Sequence, residues 1–168
     1  AVGIVGTGAQ YGFCMVLFLA GVQTIGTSLY DAVVFSLFYF NGVKGQRAIL
    51  VLSDGKDENS RFTFDQTLDF ARRAGVAIYT IGLGIGRTEF DTRKVLNRLS
   101  DETGGRAFYM KEVAELGPIY AAIQKELRSR YLLAYQSTNT SPEQKFRTVE
   151  VEVARSGLEA KTMRGYYP

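Results

Sequence analysis

The sequence predicts an α/β fold: a doubly wound, mostly parallel β-sheet covered by helices, followed by a small antiparallel β extension. Short apolar runs without polar alternation, typical of strands buried on both faces, alternate with segments that carry helix boundary signals. After Arg130 the pattern changes to apolar–polar alternation, which is typical of an antiparallel sheet with one wet face. A length of 168 residues fits one domain. We therefore expect residues 1–130 to form the α/β part and residues 131–168 an extension packed on the same domain.

Four apolar runs are predicted strands, and a continuously apolar one such as Arg47–Leu52 is typical of a parallel sheet covered on both faces. These runs are Ala1–Val5, Arg47–Leu52, Val76–Ile81 and Arg106–Tyr109. A fifth apolar run, Phe13–Val22, has no clear period, so a strand and a buried helix both stay open.

Four helices are predicted from their boundary signals. The helix from Thr63 to Gly75 shows them best, because Thr63 and Gln66 have the spacing of a capping box and Gly75 is a typical C-terminal stop. The other predicted helices run from Ser28 to about Phe40, from Asp91 to Gly104-Gly105, and from Pro118 to about Ser129.

The C-terminal extension is predicted to contain three strands. In the middle one, three valines face one side and two glutamates the other. The strands are Tyr131–Gln136, Phe146–Val153 and Leu158–Tyr167. The tyrosines of this region, together with Tyr109, are interpreted as packing residues and not as a binding surface.

The segment before Asp31 carries no charge and is long enough to span a bilayer. Glycines and polar residues interrupt it, and its dense apolar part, Phe13–Val22, is short for a membrane span. It also lacks the positive start of a signal peptide. We therefore expect buried core here, and no membrane contact.

The composition excludes several kinds of chemistry. The chain has no histidine, which removes the usual general base and zinc ligand, so a bound metal is expected to be a hard ion held by oxygen ligands. The single cysteine, Cys14, forms no intrachain disulfide and is interpreted as inert core. The net charge of +3 comes from basic residues spread along the chain, which does not favour a nucleic-acid partner.

Two polar clusters fall where ligands of open α/β sheets bind, beyond the C-terminal ends of the strands. Gly26-Thr27-Ser28 leads into the first helix, and Ser53-Asp54-Gly55 follows the strand Arg47–Leu52. A hydroxyl and a carboxylate on neighbouring loops suit Mg²⁺, although two protein oxygens alone make a weak site. On the residues alone, a helix cap is the favoured explanation of Thr27, and a turn hydrogen bond is an alternative explanation of Asp54.

A glycine-rich run near the start of the chain raises an alternative function, that of a dinucleotide-dependent enzyme. Gly6, Gly8 and Gly12 follow a predicted strand, where glycines let the backbone approach a pyrophosphate. The spacing is one residue longer than the usual fingerprint, and no strand ending in an acidic residue follows about 20 positions on. The later run Gly82-Leu83-Gly84-Ile85-Gly86 is interpreted as a turn after a strand.

Several motifs, taken in order, resemble a von Willebrand factor type A domain. They are Gly26–Ala32 (GTSLYDA), Arg47–Ser60 (RAILVLSDGKDENS), Val76–Gly82 (VAIYTIG) and Glu102–Arg106 (ETGGR). The endings Glu126–Tyr135 (ELRSRYLLAY) and Gly165–Pro168 (GYYP) resemble a bacterial branch described from Acidobacteria. The resemblance covers residues 26–168.

The resemblance implies a Rossmann-like doubly wound sheet with a metal-ion-dependent adhesion site, and no enzymatic activity. One Mg²⁺ or Mn²⁺ would engage an acidic residue of a protein partner. The threonine of the family's second metal loop matches Thr27, and the aspartate of the third matches Asp54. The branch also implies an exported protein.

The first metal loop of the family, Asp-x-Ser-x-Ser, is absent from the sequence. We expect either that the chain begins inside the domain, near the family's second strand, or that this form has lost the site. A metal-free structural or interaction module is therefore the alternative to the metal-dependent one.

Overall fold

A computed structural model describes residues 29–43, 45–54, 60–131, 133–138, 143–158 and 160–168, and the backbone of residues 2–5 and 13–19. The α/β part contains the strands β1 (Val2–Val5), β2 (Phe13–Leu19), β3 (Gln46–Ser53), β4 (Ala77–Leu83) and β5 (Ala107–Met110). Its helices are α1 (Leu29–Phe38), α2 (Phe64–Ala74), α3 (Phe90–Glu102) and α4 (Leu116–Arg128), the last preceded by a 3-10 turn at Val113–Glu115. The α/β class is confirmed, and the run with no clear period, Phe13–Val22, contains a strand.

The five strands form one sheet in the order β1-β2-β3-β4-β5. β1 is antiparallel to β2, and β2, β3, β4 and β5 are parallel to one another. Each strand lies beside the one that precedes it in the chain, so the described strands show no reversal of order of the kind that defines a doubly wound sheet. The structure thus establishes a mostly parallel α/β sheet.

Helices cover both faces of this sheet. On one face, Ile49, Val51 and Ile78 pack against α1, α2 and α3. On the other face, Leu50 and Tyr79 pack against α4. Burial on both faces explains why β3 and β4 are apolar without alternation.

The boundary signals of α2 are confirmed in detail. The Thr63 hydroxyl accepts the Gln66 N–H at 3.3 Å, and the Gln66 side-chain oxygen accepts the Thr63 N–H at 2.9 Å. Gly75 ends the helix with a φ of 63°, in the left-handed region that glycine adopts without strain. The helix predicted from Asp91, by contrast, begins at Phe90 with Glu89 as its N-cap, so Asp91 lies inside the first turn.

The C-terminal extension is smaller than the alternation predicted. Its antiparallel ladder consists of β6 (Arg147–Thr148) and β7 (Gly165–Tyr166), each two residues long. No strand is present among the described residues of 131–136, where Tyr131 is 90% and Leu133 71% exposed. The described residues of this segment pair with no strand, and the exposed Tyr131 and Leu133 cover no apolar surface.

The end of the extension contacts the α/β part along α2 and α3. The Arg164 N–H donates to the Glu102 carbonyl at 3.4 Å, and the Lys161 ammonium lies 3.2 Å from the Asp101 carboxylate. The Tyr167 hydroxyl donates to Asp69 of α2. Among the described segments, no helix has the length and apolar character needed to cross a membrane.

Candidate functional site

The end of β3 places Asp54 at the C-terminal edge of the parallel sheet. Ser53, the last residue of β3, is buried and lies opposite Gly82 of β4. Asp54 follows directly and is exposed. The strand therefore ends in a carboxylate that solvent and ligands can reach, at the edge where open α/β sheets bind ligands.

The start of α1 is bonded to the loop that follows Asp54. The Ser60 hydroxyl accepts the backbone N–H of Tyr30 at 3.1 Å. In the opposite direction, the Asp31 carboxylate accepts the N–H groups of Arg61 at 2.8 Å and Phe62 at 3.1 Å. These three hydrogen bonds bring the beginning of the first helix and the β3–α2 loop together at one edge.

This junction was not predicted. Asp31 lies in the first turn of α1, and its carboxylate also accepts a hydrogen bond from a loop 30 residues further along the chain. Ser60 is half-buried where it meets α1. The only sequence signal was the polar composition of that loop.

The two predicted metal ligands differ in how far the structure describes them. Asp54 is placed at the sheet edge, as stated above. Thr27 lies outside the described residues, as do residues 55–59 of the loop after Asp54. The first described residue after Thr27 is Leu29, which begins α1 next to the junction with Ser60.

The ligand atoms at this edge are oxygens, the kind that a hard cation binds, but the described residues supply few of them. Carboxylate and hydroxyl oxygens are the ligands that Mg²⁺ and Mn²⁺ prefer. Within the part of the chain that the structure describes, no group of three or more acidic, histidine or cysteine side chains could hold a metal ion. Asp54 would therefore act with Thr27, other uncharged oxygens and water.

The loop between β4 and α3 borders the same edge. Gly84 has a φ of 68°, and the Gly86 N–H donates to the Glu89 carboxylate at 2.9 Å, which fits the predicted turn. The loop leaves two apolar side chains accessible: Leu83 is 36% and Phe90 74% exposed. These two side chains place apolar surface beside the polar edge.

The described strands before and after the glycine-rich run differ from the elements that a dinucleotide-binding site needs. Gly6, Gly8 and Gly12 lie outside the described residues. The elements on either side are β1 and β2, two antiparallel strands. A dinucleotide fingerprint requires a strand, a glycine turn and then a helix whose N-terminus meets the pyrophosphate.

Comparison with known proteins names no family. No protein-family profile and no curated protein matches the chain. A crystal structure of an uncharacterized membrane spanning protein from Vibrio fischeri is similar with a TM-score of 0.42 and 24% identity, over 60% of this chain and 56% of that one. The likeness thus spans little more than half of that protein, and at this level it carries no argument about function.

Proposed function

We propose that this chain is a metal-ion-dependent protein-binding module of the von Willebrand factor A type, with the doubly wound arrangement of that family and no enzymatic activity. In this proposal Thr27 and Asp54 hold Mg²⁺ or Mn²⁺ at the sheet edge. An acidic residue of a partner protein completes the coordination. Following the resemblance, the module would act outside the cytoplasm.

The observation that carries the proposal is the junction between α1 and the β3–α2 loop. Because Tyr30 and Asp31 are bonded to residues 60–62, the segment after Thr27 and the loop after Asp54 converge. A metal site built from two loops needs such a connection, since its ligands must stay in place when the ion is absent.

The partner is proposed to be a protein because of what surrounds the edge. A cation held by few protein oxygens keeps open positions, and a partner carboxylate is a charge-assisted ligand for them. The exposed Leu83 and Phe90 offer apolar contact beside that point. Neither feature requires any bond to be made or broken.

Calorimetric titration of Mn²⁺ and Mg²⁺ tests the proposal. We expect saturable binding that Asp54→Ala or Thr27→Ala weakens at least about tenfold, because each removes a direct ligand. Asp101→Ala is the matched control: Asp101 is an exposed carboxylate at the C-terminal end of α3, at the opposite edge of the sheet. Equal affinity in Asp54→Ala and Asp101→Ala would reject the assignment.

A metal-free interaction module is the second candidate. The sequence lacks the Asp-x-Ser-x-Ser loop that supplies the family's main metal ligands, and this favours it. In that case the folded chain gives no heat with either cation, and binding to a partner persists in EDTA. Calorimetry with Mn²⁺ or Mg²⁺ therefore distinguishes the two candidates.

A further inference from the structure

A second candidate surface lies on the outward side of α1, one of the helices that cover the sheet. The inward residues of this helix, among them Val33 and Leu37, pack into the core. Three residues near its end are exposed, and all three are aromatic: Phe35 by 54%, Phe38 by 70% and Tyr39 by 46%. The other residues from 29 to 40 are buried or half-buried. Every exposed position in this part of the chain therefore carries a ring.

These three side chains form one stripe, here called the aromatic stripe. Phe38 and Tyr39 follow Phe35 at the spacings of three and four residues that bring side chains together on one side of a helix. The rings of Phe35 and Tyr39 meet edge to face, with their centroids 5.4 Å apart. Because this contact restrains both rings, the stripe offers a surface that is partly ordered before any partner binds.

The aromatic stripe belongs to a stretch of the chain without charge. From Ala32 to Val43 the sequence contains no Asp, Glu, Lys or Arg. The helices α2 and α3, which cover the same face of the sheet, expose charged side chains such as Asp65, Arg73 and Arg98. Charged and polar residues are usual on a helix side that faces water. An apolar outward side, as in α1, is typical of a helix that is covered on that side as well.

We propose that the aromatic stripe is the centre of an interface with a second copy of this chain. Around a two-fold axis the same surface meets itself, so a charged side chain near the axis would face a like charge. A stripe of uncharged rings avoids that repulsion, and rings can pack on one another edge to face. Homodimer interfaces are also more apolar than other interfaces, with charged residues depleted at their centre.

The size of the aromatic stripe fits this partner. If a whole aromatic side chain presents about 200 Å², the exposed parts of the three rings amount to roughly 350 Å². A standard interface buries about 800 Å² on each partner, divided between an apolar centre and a polar rim. The stripe is large enough for the centre, and exposed polar residues that follow it, such as Asn41, can contribute to the rim.

The aromatic stripe is separate from the candidate metal edge. α1 begins at that edge, where the N–H of Tyr30 is bonded to Ser60. With a rise of about 1.5 Å per residue, Phe38 lies roughly 12 Å further along the helix. The proposed dimer therefore needs no metal ion, and the two proposals can fail independently.

Sedimentation velocity of the full chain over a series of concentrations tests the interface. Phe38→Lys places a charge at the most exposed ring of the stripe, and two-fold symmetry brings that charge into the interface twice. Phe38→Ser removes the ring without adding a charge. Phe90→Lys is the matched control, because Phe90 is a phenylalanine of similar exposure, 74%, on α3. Circular dichroism and thermal unfolding check that each variant is folded.

We expect a dimer with a dissociation constant in the micromolar range or below for the unsubstituted chain and for Phe90→Lys. Association should be at least about a hundredfold weaker in Phe38→Lys, and weakened less in Phe38→Ser. A chain that stays monomeric at every concentration would overturn the proposal, as would equal association of Phe38→Lys and Phe90→Lys. Binding of a monomeric chain to phosphatidylcholine vesicles, lost in Phe38→Lys, would also overturn it and would assign the stripe to a lipid surface.

Discussion

The Asp31 carboxylate accepts the backbone N–H of Arg61 at 2.8 Å, although the two residues are 30 positions apart. The same oxygen accepts the N–H of Phe62 at 3.1 Å. One side chain thereby holds the two residues just before the N-cap of α2. The stability of this connection to α2 should therefore depend on Asp31.

Replacing Asp31 should destabilise the chain, and more so when the new side chain has no hydrogen-bond acceptor. We expect Asp31→Ala to lower the free energy of unfolding by about 1–2 kcal/mol, since two backbone N–H groups lose a charged acceptor in a partly exposed place. Asp31→Asn keeps an oxygen acceptor and should cost less. Urea unfolding of both variants measures the difference, and identical losses would show that the side-chain oxygen is not what matters.

Thr103 gives a second prediction, in the core. Its buried hydroxyl accepts the Ile78 N–H at 3.0 Å and donates to the Leu99 carbonyl at 2.8 Å. Thr103→Val preserves the shape but leaves the β4 N–H without an acceptor, which should cost about 1–3 kcal/mol. Thr103→Ser keeps the hydroxyl and is the control. The idea fails if serine destabilises the chain as much as valine in denaturant titrations.

The position of Gly105, just after α3, requires a glycine. A Cβ at this position would lie 1.9 Å from the Ile78 carbonyl oxygen, so the backbone itself must move to admit an alanine. We expect Gly105→Ala to destabilise the chain by about 3 kcal/mol or more.

The matched control for this substitution is Gly117→Ala. A Cβ on Gly117, inside α4, would meet no atom within 4 Å. Alanine there should cost far less than at Gly105, because the restriction it meets is the following Pro118, which disfavours helical dihedrals in a residue with a Cβ. Thermal unfolding of both variants reports the contrast, and a similar melting temperature for the two would contradict it.

Tyr79 should make stability depend on pH in the alkaline range. Burial raises the pKa of Tyr79 to about 12. The Glu126 carboxylate, which accepts a hydrogen bond from the Tyr79 hydroxyl, also raises this pKa, whereas Arg130 lowers it. In the unfolded chain the pKa is about 10. Between these values the unfolded state binds fewer protons, so the free energy of unfolding falls as pH rises through that window and the stabilising contribution is complete below it.

Urea unfolding at pH 9 and at pH 11 tests this dependence. Tyr79→Phe should show a shallower fall between the two pH values than the unsubstituted chain, because the other tyrosines contribute equally to both. The variant is also expected to be less stable at pH 9, since the hydrogen bond to Glu126 is lost. The prediction is wrong if the two slopes agree.

The sequence by itself determined those elements whose causes are local. The capping box of Thr63 and Gln66 and the left-handed Gly75 define α2 through bonds within a few residues, and they were predicted at the positions where they occur. The run of β3 indicated burial on both faces for the same reason, because its consecutive residues, which point to opposite faces of the sheet, are apolar. The placement of Asp54 at a strand end also follows from local order.

Only the tertiary structure decided which distant residues meet. The order of the five strands, the bonds of Asp31 and Ser60 across the candidate edge, and the stacking of Arg73 on Tyr167 join residues that no local pattern connects. The extension shows the same limit, since alternation predicted three strands, whereas the described part of residues 131–168 contains two short paired ones. Periodicity specifies which face of a segment is apolar, but pairing depends on the free energy of contacts between distant parts of the chain.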